Sequence, residues 1–345
     1  MKFNQSNIGV IADIHLGVYQ DSPLWHTLSL NFAKWMANTY KSLGIQDIVI
    51  SGDIFHNRDK VSVNTIHTAA EFFNILKDFN IIAIAGNHDA YYRDRSDVSS
   101  ISILKGWNNI HVVLDTEIIE HNGKRIALVP WGADIKKIPK CDIMFGHFEI
   151  NTFSIARDQI CTHGENASNL LDVAPFIMTG HFHMAEQRKY EKGRIIYVGS
   201  PMELNWGEAY TPKYIWMLNI DTSIPKAVEN KFSPKHYKLK SSQIRNQLEN
   251  FKSDIAGNFI SVIIDEEIAI SDVELLQAQV SAIQPLEVRF DYQVNNEIVI
   301  DDMDGDFEII DIEKAFKEIV DKLSETKEKK QKVLDMLLDI HRQVN

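Results

Sequence analysis

Cysteine is scarce in this 345-residue chain: Cys141 and Cys161 are the only two. That argues against a disulfide-stapled scaffold and fits two small thiols in a reducing compartment. Long apolar runs are absent too. None approaches the roughly 20 residues that span a bilayer, so no membrane partner is expected. The opening MKFNQSNIGVIAD runs straight into a strand without an export signal, and a cytoplasmic location is expected. Positive charge is in deficit, with 36 Lys and Arg against 48 Asp and Glu, a formal net charge of −12. A protein that grips nucleic acid by bulk electrostatics usually shows a basic surplus. Bound divalent cations or a basic partner would reverse the local field, so the sign alone leaves nucleic acid open. No internal repeat or low-complexity tract is present.

What remains is an ordinary globular composition, 44% hydrophobic and 24% charged, in a chain too long for one compact core. Alternating signals open it. An apolar run at 8–12 ends at Asp13, and a wide apolar stripe at helical spacing follows (Leu24, Trp25, Leu28, Phe32, Trp35, Met36, Tyr40), stopped by Gly44. A strand at 47–50, a helix at about 63–79 and a strand at 81–85 complete a β-α-β-α-β order, which implies a sheet covered by helices. Shorter strands are expected near 112–114, 117–120, 126–129, 143–145, 176–179, 194–198 and 214–220. Composition shifts near Asp221. The basic stretch 233–240 reads as a connector into a small α+β unit, with strands at 259–264 and 286–292 and a helix capped by Ser271. An acidic linker (301–306), whose glycine is misplaced for an EF-hand, leads to amphipathic helices over 311–344. The domains expected are 1–222, catalytic; 223–300, α+β; and 301–345, linker and helices.

Five short motifs follow apolar runs in the first of these. They are Asp13-Ile14-His15, Gly52-Asp53, Gly86-Asn87-His88-Asp89, Gly146-His147 and Gly180-His181-Phe182-His183. Ligands at the carboxyl ends of strands converge on one edge of a sheet. In a strand-end loop, residues two apart can point into one pocket, and neighbouring glycines let the backbone approach closely. Imidazole and carboxylate together suit manganese, iron or zinc, and the lack of any thiolate argues against a structural zinc. Two ions sharing one carboxylate are the usual arrangement for hydrolysing phosphate esters. Singly, each motif would arise by chance; five in one order, each after a strand, would not.

This order of motifs resembles the calcineurin-like metallophosphoesterases, over about residues 8–199. The resemblance implies a four-layer α/β/β/α sandwich. Three further stretches, Asp13-Ile14-His15-Leu16-Gly17, Ser51-Gly52-Asp53-Ile54-Phe55-His56 and Tyr197-Val198-Gly199-Ser200-Pro201, are similar to the DNA-repair nuclease branch. That branch includes the bacterial SbcD subunit and the recombination endonuclease subunit of T4-like phages; the size and short tail look more like the phage version. By resemblance, Asp13, His15 and His183 would hold one ion, Asn87, His147 and His181 the other, with Asp53 bridging. His88 would stabilise the transition state or protonate the leaving oxygen, Asp89 would orient His88, and His56 would influence exonuclease action on duplex ends.

The function implied is a manganese-dependent DNA nuclease subunit, with 3′–5′ exonuclease and endonuclease activity through a two-metal-activated water; magnesium, iron or zinc remain alternatives to manganese. Implied partners are DNA, a homodimer contact through helices near 22–43 and 61–79, and an SMC-like coiled-coil ATPase (SbcC-type) on the terminal helices. The α+β unit would cap the active site. Tyr91, Tyr92, Arg93 and Arg95 are candidates for DNA contact or a solvated loop, and Lys235, Lys238 and Lys240 for phosphate contact or an ordinary charged face. The alternative activity is a stand-alone phosphoesterase for small phosphomono- or diesters, and a non-enzymatic scaffold is a third reading.

Overall fold

In the computed structural model, residues 3–157, 159–292 and Gln331 are described. The period-2 alternation of the early strands divides their side chains between two cores. From the strands Asn7–Ile11, Asp47–Ser51 and Asn80–Ile84, residues Ile11, Ile48, Ile50 and Ala83 face one way, and Ile8, Val10, Val49, Ile82 and Ile84 the other. The first set meets Phe32, Met36 and Tyr40 of the helix Pro23–Ser42 and Phe72 and Phe73 of the helix Val63–Ile75. The second set meets Ile126, Leu128, Phe145, Met178 and Ile196 of another sheet. Two sheets therefore stack face to face, with helices outside the first.

The first sheet runs Ile224–Glu229, Tyr214–Asn219, Asn7–Ile11, Asp47–Ser51, Asn80–Ile84, Ile110–Val113. Its last four strands are parallel. The second runs Glu186–Tyr190, Gly193–Tyr197, Phe176–Gly180, Ile143–His147, Lys124–Val129, Glu117–His121, with its four central strands parallel. Its outer face is covered by the hairpin Ser154–Ala156/Gln159–Ile160 and the short helix Ala167–Leu171. The mixed α/β sandwich implied by the family resemblance is present, its fourth layer thin.

Several boundaries differ from expectation, each for a local reason. Pro23 opens the first helix at its first position, where a missing N–H costs nothing. The second helix stops at Ile75, and Asn109 Nδ2 donates to the carbonyl of Phe79 (2.9 Å), fixing a tight turn where four more helical residues were expected. Strand Ile224–Glu229 pairs along Tyr214–Asn219, so the first sheet continues past residue 222. Within the basic stretch 233–240, His236–Lys240 is a strand, not merely a connector. It pairs in parallel with Phe259–Ile264, which pairs with Glu287–Tyr292, around the helix Ile270–Ala282. That helix is preceded by Ala269 and begins before Ser271, which does not cap it. This small unit packs on the first helix through Trp25, stacked 5.2 Å from Phe259. The expected linker and terminal helices, 301–345, lie outside the described residues apart from Gln331.

Candidate metal centre

Parallel strands of both sheets end on the same edge, and the five motifs occupy those ends. Their backbones leave the strand conformation abruptly: Asp13, His15 and Asp53 have φ of 54°, 51° and 53°, and His181 103°. Left-handed backbone at non-glycine residues is a strain that clusters at functional sites. Main-chain bonds hold the turns together, with Asp13 N donating to Gly52 O (3.1 Å) and Leu16 N to Ile54 O (2.8 Å). The glycines are obligatory for space. A Cβ on Gly52 would lie 2.1 Å from His147 Nδ1, and one on Gly86 2.1 Å from Asp53 Oδ1.

All seven predicted ligands converge. His15 Nε2 and His183 Nε2 are 3.0 Å apart, and with Asp13 they form one compact donor group. Asn87 Oδ1 lies 2.8 Å from His147 Nε2 and 2.9 Å from His181 Nδ1, forming another. Asp53 Oδ2 stands between them, 3.6 Å from His15 Nε2 and 3.3 Å from His147 Nε2. Donors that share an ion at about 2.1 Å sit roughly 3.0–3.5 Å from one another, so these spacings suit two cations. Asp13 Oδ2 is buried with no hydrogen-bond partner, a cost a protein accepts where a cation supplies the missing contact. The residues present therefore fit two divalent metal ions.

Burial and the close packing of carboxylates and imidazoles shift the donors in opposite directions. Burial raises the Asp13 carboxyl to about 6, against the pull of His147 and His183. At Asp53 burial works the same way, but the surrounding histidines, His147 and His88 foremost, outweigh it and hold the group well below the usual carboxylate range. Burial, reinforced by neighbouring imidazoles, holds His15 well below its ordinary value. At His147 burial opposes the charged form, but Asp53 and Asp13 outweigh it and the ring is raised to about 9. Burial opposes the charged form at His183 as well, and Glu208 and Asp13 raise it all the same. A divalent cation would compete with those protons for the ring nitrogens, which ties metal binding to pH.

The supporting contacts settle which ring nitrogen faces inward. His147 Nδ1 donates to Ser51 O (2.8 Å), leaving Nε2 for the centre. His183 Nδ1 lies 2.7 Å from Glu208 Oε1. Glu208 is buried, accepts from Ser200 Oγ (2.9 Å) and Leu204 N (3.2 Å), and is paired with buried Lys213. His181 presents Nδ1 instead, with its Nε2 3.9 Å from Glu149 Oε1. Trp131 leans on both His147 and His181, with centroids at 6.0 and 5.2 Å. Glu208, Lys213, Glu149 and Trp131 carry no motif of their own. Only Gly199-Ser200-Pro201 hinted at this region, and Ser200 proves to be a bond to Glu208.

Of the remaining candidates, His88 and His56 stand beside His15. His56 Nδ1 is 3.3 Å from His15 Nδ1, and His88 Nδ1 donates to His56 O (2.6 Å). Asp89 departs from expectation. Its carboxylate accepts from the backbone N–H groups of Gly86 (2.9 Å), Ile54 (3.0 Å) and Phe55 (2.9 Å), and so braces two motif loops instead of orienting His88. Tyr91 and Tyr92 are exposed, and Arg95 stacks on the Tyr92 ring at 3.9 Å.

A sandwich carrying a paired His, Asp and Asn donor set at the strand ends defines a metal-dependent hydrolase. Residues 7–223 match the calcineurin-like phosphoesterase superfamily domain, and the chain belongs to that superfamily. It is similar to exonuclease subunit 1 of Enterobacteria phage T4, 27% identical over 64% of this chain and 66% of that protein. It is also similar to putative phosphoesterase 078R of Invertebrate iridescent virus 3, 23% identical over 60% of each chain. The match thus spans less than two thirds of each relative. Among solved structures, a dimetal phosphatase from Danio rerio matches with a TM-score of 0.41 and 10% identity, over 62% of this chain and 92% of that one. No helix among the described residues is long and apolar enough to cross a membrane.

Proposed function

We propose that this chain is the nuclease subunit of a DNA recombination or repair complex, hydrolysing phosphodiesters with two divalent ions, manganese first among them. The observation that carries the hydrolytic reading is Asp53 Oδ2 standing between two donor groups, one of Asp13, His15 and His183 and one of Asn87, His147 and His181. When bound, such ions supply an activated water and neutralise charge on the phosphoryl oxygens. The chain's own residues do the rest. Asp13, Asp53 and the imidazoles hold the donor geometry, while Gly86-Asn87-His88 wraps the shared carboxylate, His88 N donating to Asp53 Oδ1 (2.9 Å). His88 Nδ1 is committed to His56 O, so a proton for the departing oxygen is carried on Nε2, and the ring acts as an acid only when doubly protonated.

DNA as substrate is supported by the likeness to a phage exonuclease subunit and by the exposed Tyr91, Tyr92 and Arg95 after the third motif. The α+β unit from His236 to Tyr292 is the proposed cap, and residues 301–345 the proposed docking segment for an SMC-like ATPase. Val63 and Ile66 are exposed on the helix Val63–Ile75, which supports a homodimer contact there with the helix Pro23–Ser42. The experiment is incubation with manganese, an end-labelled duplex and a chromogenic phosphodiester. Metal-dependent shortening of the duplex, lost in Asp53→Ala, is expected. Turnover of the small ester without DNA cleavage, with or without an ATPase partner, would instead establish a stand-alone phosphoesterase.

A further inference from the structure

Cys161 and His163 play no part in that reading, yet the fold brings them to Glu149, two residues beyond His147. His163 Nδ1 lies 3.0 Å from Glu149 Oε1 and 3.6 Å from Cys161 Sγ. The three donor atoms all fall within 4.8 Å of one another. A tetrahedral ion holding sulfur at about 2.3 Å and nitrogen at about 2.05 Å would bring those donors to about 3.5 Å of each other. One thiolate, one imidazole and one carboxylate make a softer set than any at the two-ion centre, which contains no sulfur, and softness selects zinc over manganese. Cys161 is buried at 1% exposure while His163 is open to solvent, so an ion entering past His163 would meet the sulfur at the inner end. Three protein ligands leave a fourth position for water.

We propose that Glu149, Cys161 and His163 form a zinc site distinct from the two-ion centre and sharing Glu149 with it. In the metal-free chain the same atoms are held by hydrogen bonds, Cys161 Sγ donating to His163 O (3.1 Å), and zinc replaces the thiol proton. The shared carboxylate makes the site regulatory. Glu149 Oε1 is the group facing His181 Nε2, and a carboxylate drawn onto zinc no longer steadies the imidazole whose Nδ1 meets Asn87. Zinc therefore inhibits; this consequence rests on the two-ion reading, whereas the site itself does not.

The test is titration of the full chain with cobalt(II). A cobalt–thiolate bond gives a sulfur-to-metal charge-transfer absorption in the near ultraviolet, which nitrogen and oxygen donors do not produce. The wild type is expected to show that band. Cys161→Ser and His163→Ala lose it while keeping the visible absorption of cobalt at the nitrogen and oxygen donors, and Cys141→Ser keeps both. His163 is exposed, so its variant is expected to fold even if Cys161→Ser does not. No band in the wild type at saturating cobalt, or a band that persists in Cys161→Ser, overturns the site. A thiolate band in the wild type, with no protein-bound cobalt remaining in Cys161→Ser, would leave this site standing and sink the two-ion reading. For the regulatory part, zinc added to manganese-loaded protein slows hydrolysis of a chromogenic diester, and Cys161→Ser needs at least about ten-fold more zinc for the same effect. Equal inhibition of both overturns it.

Discussion

His181 and His183 leave the same strand two residues apart, yet they are supported in opposite ways. His183 turns Nε2 inward, and its Nδ1 is held at 2.7 Å by Glu208, a carboxylate buried with Lys213 and Ser200. His181 turns Nδ1 inward, and its Nε2 looks across 3.9 Å to Glu149, whose side chain is 31% exposed and also engages His163. One donor group is therefore backed by a closed, fully paired network. The other is backed by a carboxylate that solvent and neighbours can recruit. Closed networks resist change and fail abruptly when one member is removed; open ones adjust and can be tuned.

The largest effect should come from the residue common to both groups. Asp53→Ala is expected to cut metal-dependent phosphodiester hydrolysis by roughly 10³-fold, measured with manganese held at saturation for the wild type. Retention of activity within a few-fold of wild type would remove Asp53 from its shared position.

Next is the closed network. Glu208→Ala strands Lys213 in the interior and is expected to cost about 3–5 kcal/mol in chemical denaturation, alongside weaker metal binding by calorimetry. Adding Lys213→Met should recover most of the stability but not the metal affinity. Recovery of both would make the network merely structural.

Glu149→Gln probes the open support. Metal affinity at the Asn87, His147 and His181 group should fall by roughly 10–100-fold, with the melting temperature of the metal-free protein nearly unchanged. A stability loss as large as that of Glu208→Ala would erase the contrast.

The smallest effect is one of pH. Burial opposes ionisation of Glu208, but Lys213 and His183 outweigh it and hold the group far below its ordinary 4.5. A depressed carboxyl contributes stability that is present above the unfolded value and lost as pH falls below it toward the folded value. Metal-free wild type should therefore lose more stability than Glu208→Gln between neutral pH and acid, followed by denaturant midpoints. Parallel curves would show that the ionised carboxylate contributes nothing.

The convergence of the seven candidate ligands was legible in the chain because each lies in a short motif after an apolar strand, and strand ends of a parallel sheet must share an edge. The role of Asp89 was not. Its place in Gly86-Asn87-His88-Asp89 suggested a partner for the adjacent imidazole, yet the left-handed turn at Asp53 brings the N–H groups of Ile54 and Phe55 within its reach. A buried carboxylate then goes to the donors with no alternative partner. The small unit's first strand was hidden for a related reason. His236–Lys240 is lysine-rich, and only pairing with Phe259–Ile264 and burial of His236 and Leu239 make it a strand.

By itself, then, the order of residues determined the helix-covered sheet and the seven polar side chains that meet at its edge, since hydrophobic period and motif position are local properties of the chain. Only the tertiary structure decided which nitrogen each histidine turns inward, that Glu208 and Glu149 stand behind them, and that Cys161 meets His163 and Glu149. Those are encounters between distant segments, set by how loops from two sheets pack at a common edge, and no local pattern encodes them.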